Sequence, residues 1–250
     1  MANHELMKLT ANRFKEGGYD KVVLAVGSCE AHGAHLAEGC DTLVSYTLSK
    51  LVADRVKGML VIPPITYGYS GHYDTFPFTL TVSYDTITAI IYDVLESVLR
   101  NGINKILIIN GHDGNIAPIE IASRKVKEKY PEARIAALDQ WWVTALDLLP
   151  PETFEVWRGL GHAGEGESSI AYYMFGKYCQ PELATCCVPE NLPEFIEIKW
   201  DFAEITDTAQ TGDATKATPE KGRLMTEALV DYITKVIEDL DKIDWDYRKK

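Results

Sequence analysis

Basic residues are scarce in this sequence: 25 lysines and arginines face 37 aspartates and glutamates, for a formal net charge of -12. That balance argues against binding to nucleic acid or to an anionic membrane, and leaves a small uncharged or cationic molecule as the easier partner. Cysteine is also sparse. Cys29, Cys40, Cys179, Cys186 and Cys187 form an odd set without C-x-x-C spacing, which suggests neither a disulfide framework nor a thiolate zinc site, so all are read as reduced thiols. No apolar run approaches the length of a membrane span, and the opening "MANHELMKLTANRFKEGG" lacks the basic and apolar regions of a signal peptide, so a cytoplasmic location is expected. Repeats, low-complexity tracts and linker-like stretches are missing too. Residues 1–250 are therefore expected to form a single domain, a length that can bury a full core.

What is present is an alternation of two patterns. Short apolar runs, "KVVLAV" (21–26), "GMLVIPP" (58–64), "KILIIN" (105–110) and "RIAAL" (134–138), have the length and β-branched content of buried strands. Between them, "YDTITAIIYDVLESVLRNG" places Ile87, Ile90, Ile91, Val94, Leu95 and Val98 at helical spacing, with Gly102 positioned to end the helix. Residues 41–57 and 115–129 read as further helices, and a last one starts with Thr218 as N-cap and Pro219 at its first position. The fold class is thus α/β: a mostly parallel central sheet with helices on both faces, an α/β/α sandwich. In such sheets, sites form where loops leave the carboxyl ends of the strands. Residues 178–217 show little periodicity and read as an excursion packed on the same domain.

Three glycine-flanked clusters carry candidate chemistry. "GSCEAHGAHLAEGCD" supplies Glu30, His32 and Asp41; "NGHDGN" supplies His112 and Asp113; "GHAGEGESS" supplies His162, Glu165 and Glu167. Glu30 and His32 share one side of an extended backbone, and Asp41 opens a predicted helix, where the dipole favours a carboxylate. Each alone is most simply a cap or surface group, but three such clusters at independent element ends have no common structural explanation. Mixed histidine and carboxylate donors suit zinc, with manganese or iron(II) as alternatives, better than calcium or magnesium. Two divalent ions need roughly five protein ligands with one bridging carboxylate, a count that Glu30, His32, Asp41, His112 and one of Glu165 or Glu167 can meet. His35 is read as orienting Glu30 or its loop. Trp141, Trp142 and Trp157 fit either core positions or a flat wall for a planar substrate, and the loop "YGYSGHYDTFPF" (67–78) is rich in groups that bind rather than merely connect.

In this order the clusters resemble the creatininase (creatinine amidohydrolase) family. Its pattern runs G-S-x-E-x-H-G-x-H-L-P-x-G-T-D-T, G-x-S-x-E-H-x-x-F-P-G-T, N-G-H-G-G-N, H-A-G-E-x-E-T-S and G-D-x-x-x-A-T-x-E-K-G, against "GSCEAHGAHLAEGCDT", "GYSGHYDTFPFT", "NGHDGN", "HAGEGESS" and "GDATKATPEKG" here. The resemblance implies an α/β fold around a two-metal site and a homo-oligomer, commonly a hexamer. It assigns Glu30, Asp41 and His112 to one ion, and His32 with the same Asp41 to the second. Glu165 is expected to complete the second shell, with Glu167 as second choice. His162 matches the histidine that moves protons at the scissile bond, and Ser70 a substrate-contacting serine. The family's E-H pair is His72 and Tyr73 here, its F-P-G-T glycine is Phe78, and a further position holds Asp113. Ser70, His72, Tyr73, Asp113, Trp142 and Glu167 are the candidate substrate contacts, and Phe78 is expected to reshape the pocket. The implied reaction is metal-assisted hydrolysis of a C–N bond in a cyclic amide or formamide. The alternatives are ring-opening C–C hydrolysis of a keto-inositol or similar substrate, and a catalytically silent metal-binding subunit.

Overall fold

The computed structural model describes residues 4–193, 196 and 198–249; residues 1–3, 194, 195, 197 and 250, within the opening stretch, the 178–217 excursion and the C-terminus, lie outside the described part. Its centre is a parallel sheet of β1 (Lys21–Val26), β2 (Met59–Val61), β3 (Lys105–Asn110) and β4 (Arg134–Leu138), ordered β2-β1-β3-β4. The β1–β3 register pairs Lys21 with Lys105 through Val26 with Asn110. The run at 58–64 yields a shorter strand than its apolar length predicts. Pro63 and Pro64 have no N–H to donate, although Ile62 and Ile65 still donate to the Val23 and Ala25 carbonyls and keep the chain alongside β1.

Side chains alternate across the sheet and meet helices on both faces, as the strand-and-helix pattern implies. Val22, Leu24, Val26, Ile106 and Ile108 pack with α3 (Tyr84–Arg100) and α4 (Ile116–Lys129), against Ile87, Ile91, Leu95, Ile119 and Val126. Val23, Met59, Val61, Leu107 and Ile109 face the opposite layer, formed by α2 (Cys40–Ala53), α5 (Trp141–Leu148), α6 (Glu165–Phe175) and α7 (Pro219–Lys242). A short helix, α1 (Ala11–Glu16), precedes β1, and the described residues of the excursion form a two-residue antiparallel pair, β5 (Cys186–Cys187) with β6 (Gly212–Asp213), and short 3-10 turns. Burial on both faces explains why every residue of β1 is buried and why the strands read as continuous apolar runs.

The capping chemistry follows the sequence. Ser83 accepts a hydrogen bond from the Thr86 amide, and Thr218 accepts one from the Lys221 amide with Pro219 at the first turn. Gly102 adopts φ 85° just beyond α3.

Because β1 connects outward to β2 and β3 connects outward to β4, the winding reverses between β1 and β3. Their carboxyl ends open a crevice at that switch point.

Helices α6 and α7 pack tightly at Gly222, where an added Cβ would collide with the Ser169 carbonyl. At an exposed helix position, glycine to alanine stabilises by about 0.8–1 kcal/mol. Here Gly222→Ala should instead destabilise by roughly 1–3 kcal/mol, read as a lower midpoint in denaturant unfolding; a raised midpoint would show that the helices do not depend on this approach.

Candidate metal centre

The loop after β1 delivers Glu30 and His32, the first turn of α2 delivers Asp41, and the turn after β3 delivers His112; all four are buried. Two asparagines and a glycine hold these loops together. Asn110 accepts a hydrogen bond from the His112 amide and donates to the His112 and Asp139 carbonyls. Asn115 donates to the Gly27 carbonyl and accepts from the Tyr69 amide, tying the β1 and β3 exits to the loop at 66–70. Gly111 lets the β3 exit pass the α2 N-terminus, since a Cβ there would strike the Asp41 carbonyl oxygen.

Each histidine is oriented by its remote nitrogen. His32 Nδ1 lies 2.9 Å from the Glu30 carbonyl and His112 Nε2 lies 2.6 Å from the Tyr69 carbonyl. A carbonyl can only accept, so both outer nitrogens carry hydrogen, and the opposite nitrogens face the cluster, where each can offer a lone pair to a metal once its own proton is displaced. Those inward nitrogens meet Asp41 from two sides. His32 Nε2 is 2.9 Å from Asp41 Oδ1, whereas His112 Nδ1 is 3.2 Å from Asp41 Oδ2 and 3.2 Å from Glu30 Oε1. Ser28 donates to Asp41 Oδ2 at 2.5 Å. Donor atoms of Glu30, Asp41 and His112 lie within 4.8 Å of one another, and so do those of His32, Cys40, Asp41 and Glu167. Asp41 is common to these two sets, and a third group, Glu30, His32 and His162, links them through Glu30 and His32.

The donors fit divalent cations. Both Glu30 carboxylate oxygens are buried and accept no hydrogen bond, which is costly for a charged group unless a cation lies beside it. In the absence of metal, protons fill that role. Burial lowers the His32 pKa, but Asp41 overrides it and pushes the ring up to about 10. His112 is likewise raised, by Glu30 and Asp41 acting against burial. Burial raises the Asp41 and Glu30 carboxyls, yet the facing histidines hold both below their usual range. Glu167, buried with weaker compensation from His32, is pushed up to about 7.

The third cluster divides between two jobs, and this corrects the expectation for Glu165. Its side chain is turned from the centre: Oε2 accepts from the Glu155 and Val156 amides at 2.9 and 3.2 Å, and Oε1 pairs with Lys221 at 2.5 Å. Glu167, two positions along α6, faces the opposite way. Its Oε1 is 3.9 Å from His32 Nε2, and Oε2 accepts from the Ala163 amide. Ala163 holds a left-handed φ of 50° to aim that amide. His35 donates to Ser168 Oγ at 2.8 Å, since that hydroxyl spends its own proton on the Ala163 carbonyl, and so ties the loop that carries Glu30 to the start of α6 without touching Glu30 itself.

A cavity of about 260 Å³ opens on the cluster, with Tyr73, Asp113, Trp142, His162, Glu167 and Phe202 in its lining. His162 Nε2 donates to the Ala31 carbonyl at 2.8 Å, leaving Nδ1 bare, 3.9 Å from Glu30 Oε1. Burial and the neighbouring His32 lower its pKa to about 3, so the ring is neutral. Its ring centroid lies 4.5 Å from Tyr73 and 5.3 Å from Phe202. Phe202 was not anticipated: it lies in the aperiodic excursion, where no sequence pattern marks it. Two expected substrate contacts sit elsewhere. Ser70 is fully buried behind His112, with Oγ 3.4 Å from Nε2, and His72 lies 6.1 Å from the His112 ring outside the cavity lining. Phe78 does not reshape the cavity either: it adopts φ 58°, a conformation that favours glycine, and is 82% exposed. Of the tryptophans, Trp141 is core and Trp157 is 39% exposed. A second cavity of about 470 Å³, between the N-terminal segment, β2 and α3, is lined mainly by apolar groups and lies apart from these donors.

Residues 7–237 match the family model described as Creatininase, creatinine amidohydrolase. The chain is 27% identical over 232 residues to a creatinine amidohydrolase of Pseudomonas putida, covering 87% of this chain and 88% of that one. It is 28% identical over 261 residues to a 3-dehydro-scyllo-inosose hydrolase of Thermotoga maritima, covering 94% and 81%. Among solved structures, a creatininase in a manganese form superposes with a TM-score of 0.83 at 25% identity, covering 95% of this chain and 98% of that one. The fold, the matched span and the buried histidine and carboxylate donors agree, and the chain belongs to the creatininase family of metal-dependent hydrolases.

Proposed function

We propose that the centre holds two divalent ions, zinc in the first instance, and that the protein hydrolyses a C–N bond of a cyclic amide or formamide. Glu30, Asp41 and His112 would hold one ion, and His32, Asp41 and Glu167 the other. The observation that carries this reading is Asp41, whose two oxygens face separate donor sets. Ions bound there supply Lewis acidity, which polarises a carbonyl and lowers the pKa of water toward neutrality.

The chain's own groups do the rest. His162 is neutral, with Nδ1 bare at the cavity, so it enters as a proton acceptor. Having taken a proton from the attacking water, it can return that proton to the leaving nitrogen. The tie from Nε2 to the Ala31 carbonyl keeps the ring in the tautomer this requires. Trp142, Tyr73 and Phe202 supply aromatic walls suited to a flat ring. Among the described residues the cavity lining contains carboxylates but no lysine or arginine, which counts against a phosphorylated substrate. The similarity to the inosose hydrolase, at 28% identity over 94% of the chain, keeps ring-opening C–C hydrolysis of a keto-inositol as the second reading. Assaying metal-replete protein against creatinine, formamides and keto-inositols separates the two; inertness toward the whole panel would favour a silent metal-binding subunit.

Asp41→Ala should lose both ions together in elemental analysis, whereas retention of a full complement would remove its bridging role. Glu167→Gln should lower occupancy of the second ion, with affinity reduced about 10–100-fold, while Glu165→Gln should leave metal content intact. For His162→Ala, metal content should persist and turnover should fall about 10²–10⁴-fold; an unchanged rate would exclude its proton-transfer role. The pH dependence has a definite sign. His32, pushed up to about 10 in the metal-free protein, carries a proton at pH 7 that must leave before its nitrogen can bind a metal. Metal affinity should therefore rise with pH, about tenfold per unit for each displaced proton, and level off near pH 10. Conversely, the stability that protonated His32 lends to the metal-free fold is complete below about pH 6.5 and lost as pH approaches 10, so the melting temperature of that form should fall over this window.

A further inference from the structure

The second donor set contains a group that neither the reaction nor the bridging scheme uses. Cys40 is the first residue of α2, immediately before Asp41, and its side chain is fully buried. We propose that the Cys40 thiol is a sulfur donor to the second ion, alongside His32, Asp41 and Glu167, and that it tilts that position toward thiophilic metals. The inference rests on the two-ion reading above and deepens it.

The geometry is permissive without a rearrangement. Four donors that all lie within 4.8 Å of one another share a centre roughly 3 Å or less from each, against bond lengths to zinc of about 2.0–2.3 Å. Closing the shell needs movements below about an ångström, within reach of side-chain adjustment. The sulfur is also uncommitted. Cys179 and Cys187 donate to the Phe175 and Ile205 carbonyls, whereas Cys40 Sγ makes no hydrogen bond among the described residues. The resembled family pattern has threonine here, in G-T-D-T, where this chain reads "GCDT". A residue with a hard hydroxyl is thus replaced by one with a soft thiol, and donor softness bears on which metal a site retains.

The plainer role for a buried cysteine is that of a small core residue, and Cys40 does touch the apolar layer formed by α2, α6 and α7. The two roles make different predictions. As a ligand, the thiol gives up its proton to solvent when the sulfur–metal bond forms; as filler, it never meets the ion.

X-ray absorption at the zinc edge of the zinc-loaded wild-type protein should show a sulfur scatterer at about 2.3 Å, and the cadmium-loaded protein should show ultraviolet sulfur-to-metal charge transfer. Both signals should disappear in Cys40→Thr, which should still bind two ions but prefer zinc over manganese about 10-fold less strongly, or weaker still. Two bound ions with only nitrogen and oxygen scatterers would overturn the Cys40 assignment and leave the two-ion reading standing. A sulfur signal that survives in Cys40→Thr would overturn it as well. Failure of the wild-type protein to bind any divalent ion would overturn both. Should the variant fail to fold, the wild-type absorption spectrum still decides whether sulfur is in the shell.

Discussion

The structure turns on one buried carboxylate reached from both sides. Asp41 sits in the first turn of α2 with Oδ1 toward His32 and Oδ2 toward His112. A helix N-terminus favours negative charge there, but the dipole alone cannot support it beside Glu30 and Glu167. The histidines, or the cations that displace their protons, make that density of carboxylates possible. The layers converge on this point: the β1 exit brings Glu30 and His32, the β3 exit brings His112, and α6 brings Glu167.

That convergence is a consequence of topology rather than of any one motif. Reversal of the winding between β1 and β3 opens the crevice, and Gly111, Asn110 and Asn115 turn it into a defined geometry. Gly111 admits the close approach to α2, while the two asparagines replace the backbone partners that strands can no longer provide beyond their ends. The residues around His112 in "NGHDGN" thus serve position, and the histidine between them serves chemistry.

Much of this was legible in the sequence because it depends on period and order. The strands and long helices announce themselves through apolar spacing, and clusters at strand ends fall at the switch point once the sheet is parallel. What was not legible depends on rotation and on contacts between distant segments. Glu165 and Glu167 lie two apart in a helix, so they face roughly opposite ways, and their spacing cannot say which faces the site. The signal that could have decided it lay in the fifth motif: Lys221 in "TPEKG" is the cation that satisfies Glu165, and a carboxylate paired with lysine is poorly placed to bind metal. Ser70 and Phe202 exchange places in a similar way. The serine in a conspicuous loop lies behind His112, and the phenylalanine in an unpatterned segment forms a wall, because burial direction in irregular backbone has no period to read.

The orientation of the cluster does not depend on metal. His32 and His112 are fixed by hydrogen bonds from their outer nitrogens to backbone carbonyls, and those carbonyls belong to loops that Asn115 and the sheet already hold. Replacing a proton by a divalent ion therefore changes the charge at the inner nitrogens without requiring either ring to rotate. A site built in this way is preorganised: the free energy of burying carboxylates is met during folding by protonated histidines, and metal binding exchanges one set of cations for another. His162 follows the opposite logic. Burial and its neighbour His32 keep it uncharged, so its bare Nδ1, grouped with Glu30 and His32, faces the cavity wall as an acceptor rather than as a cation.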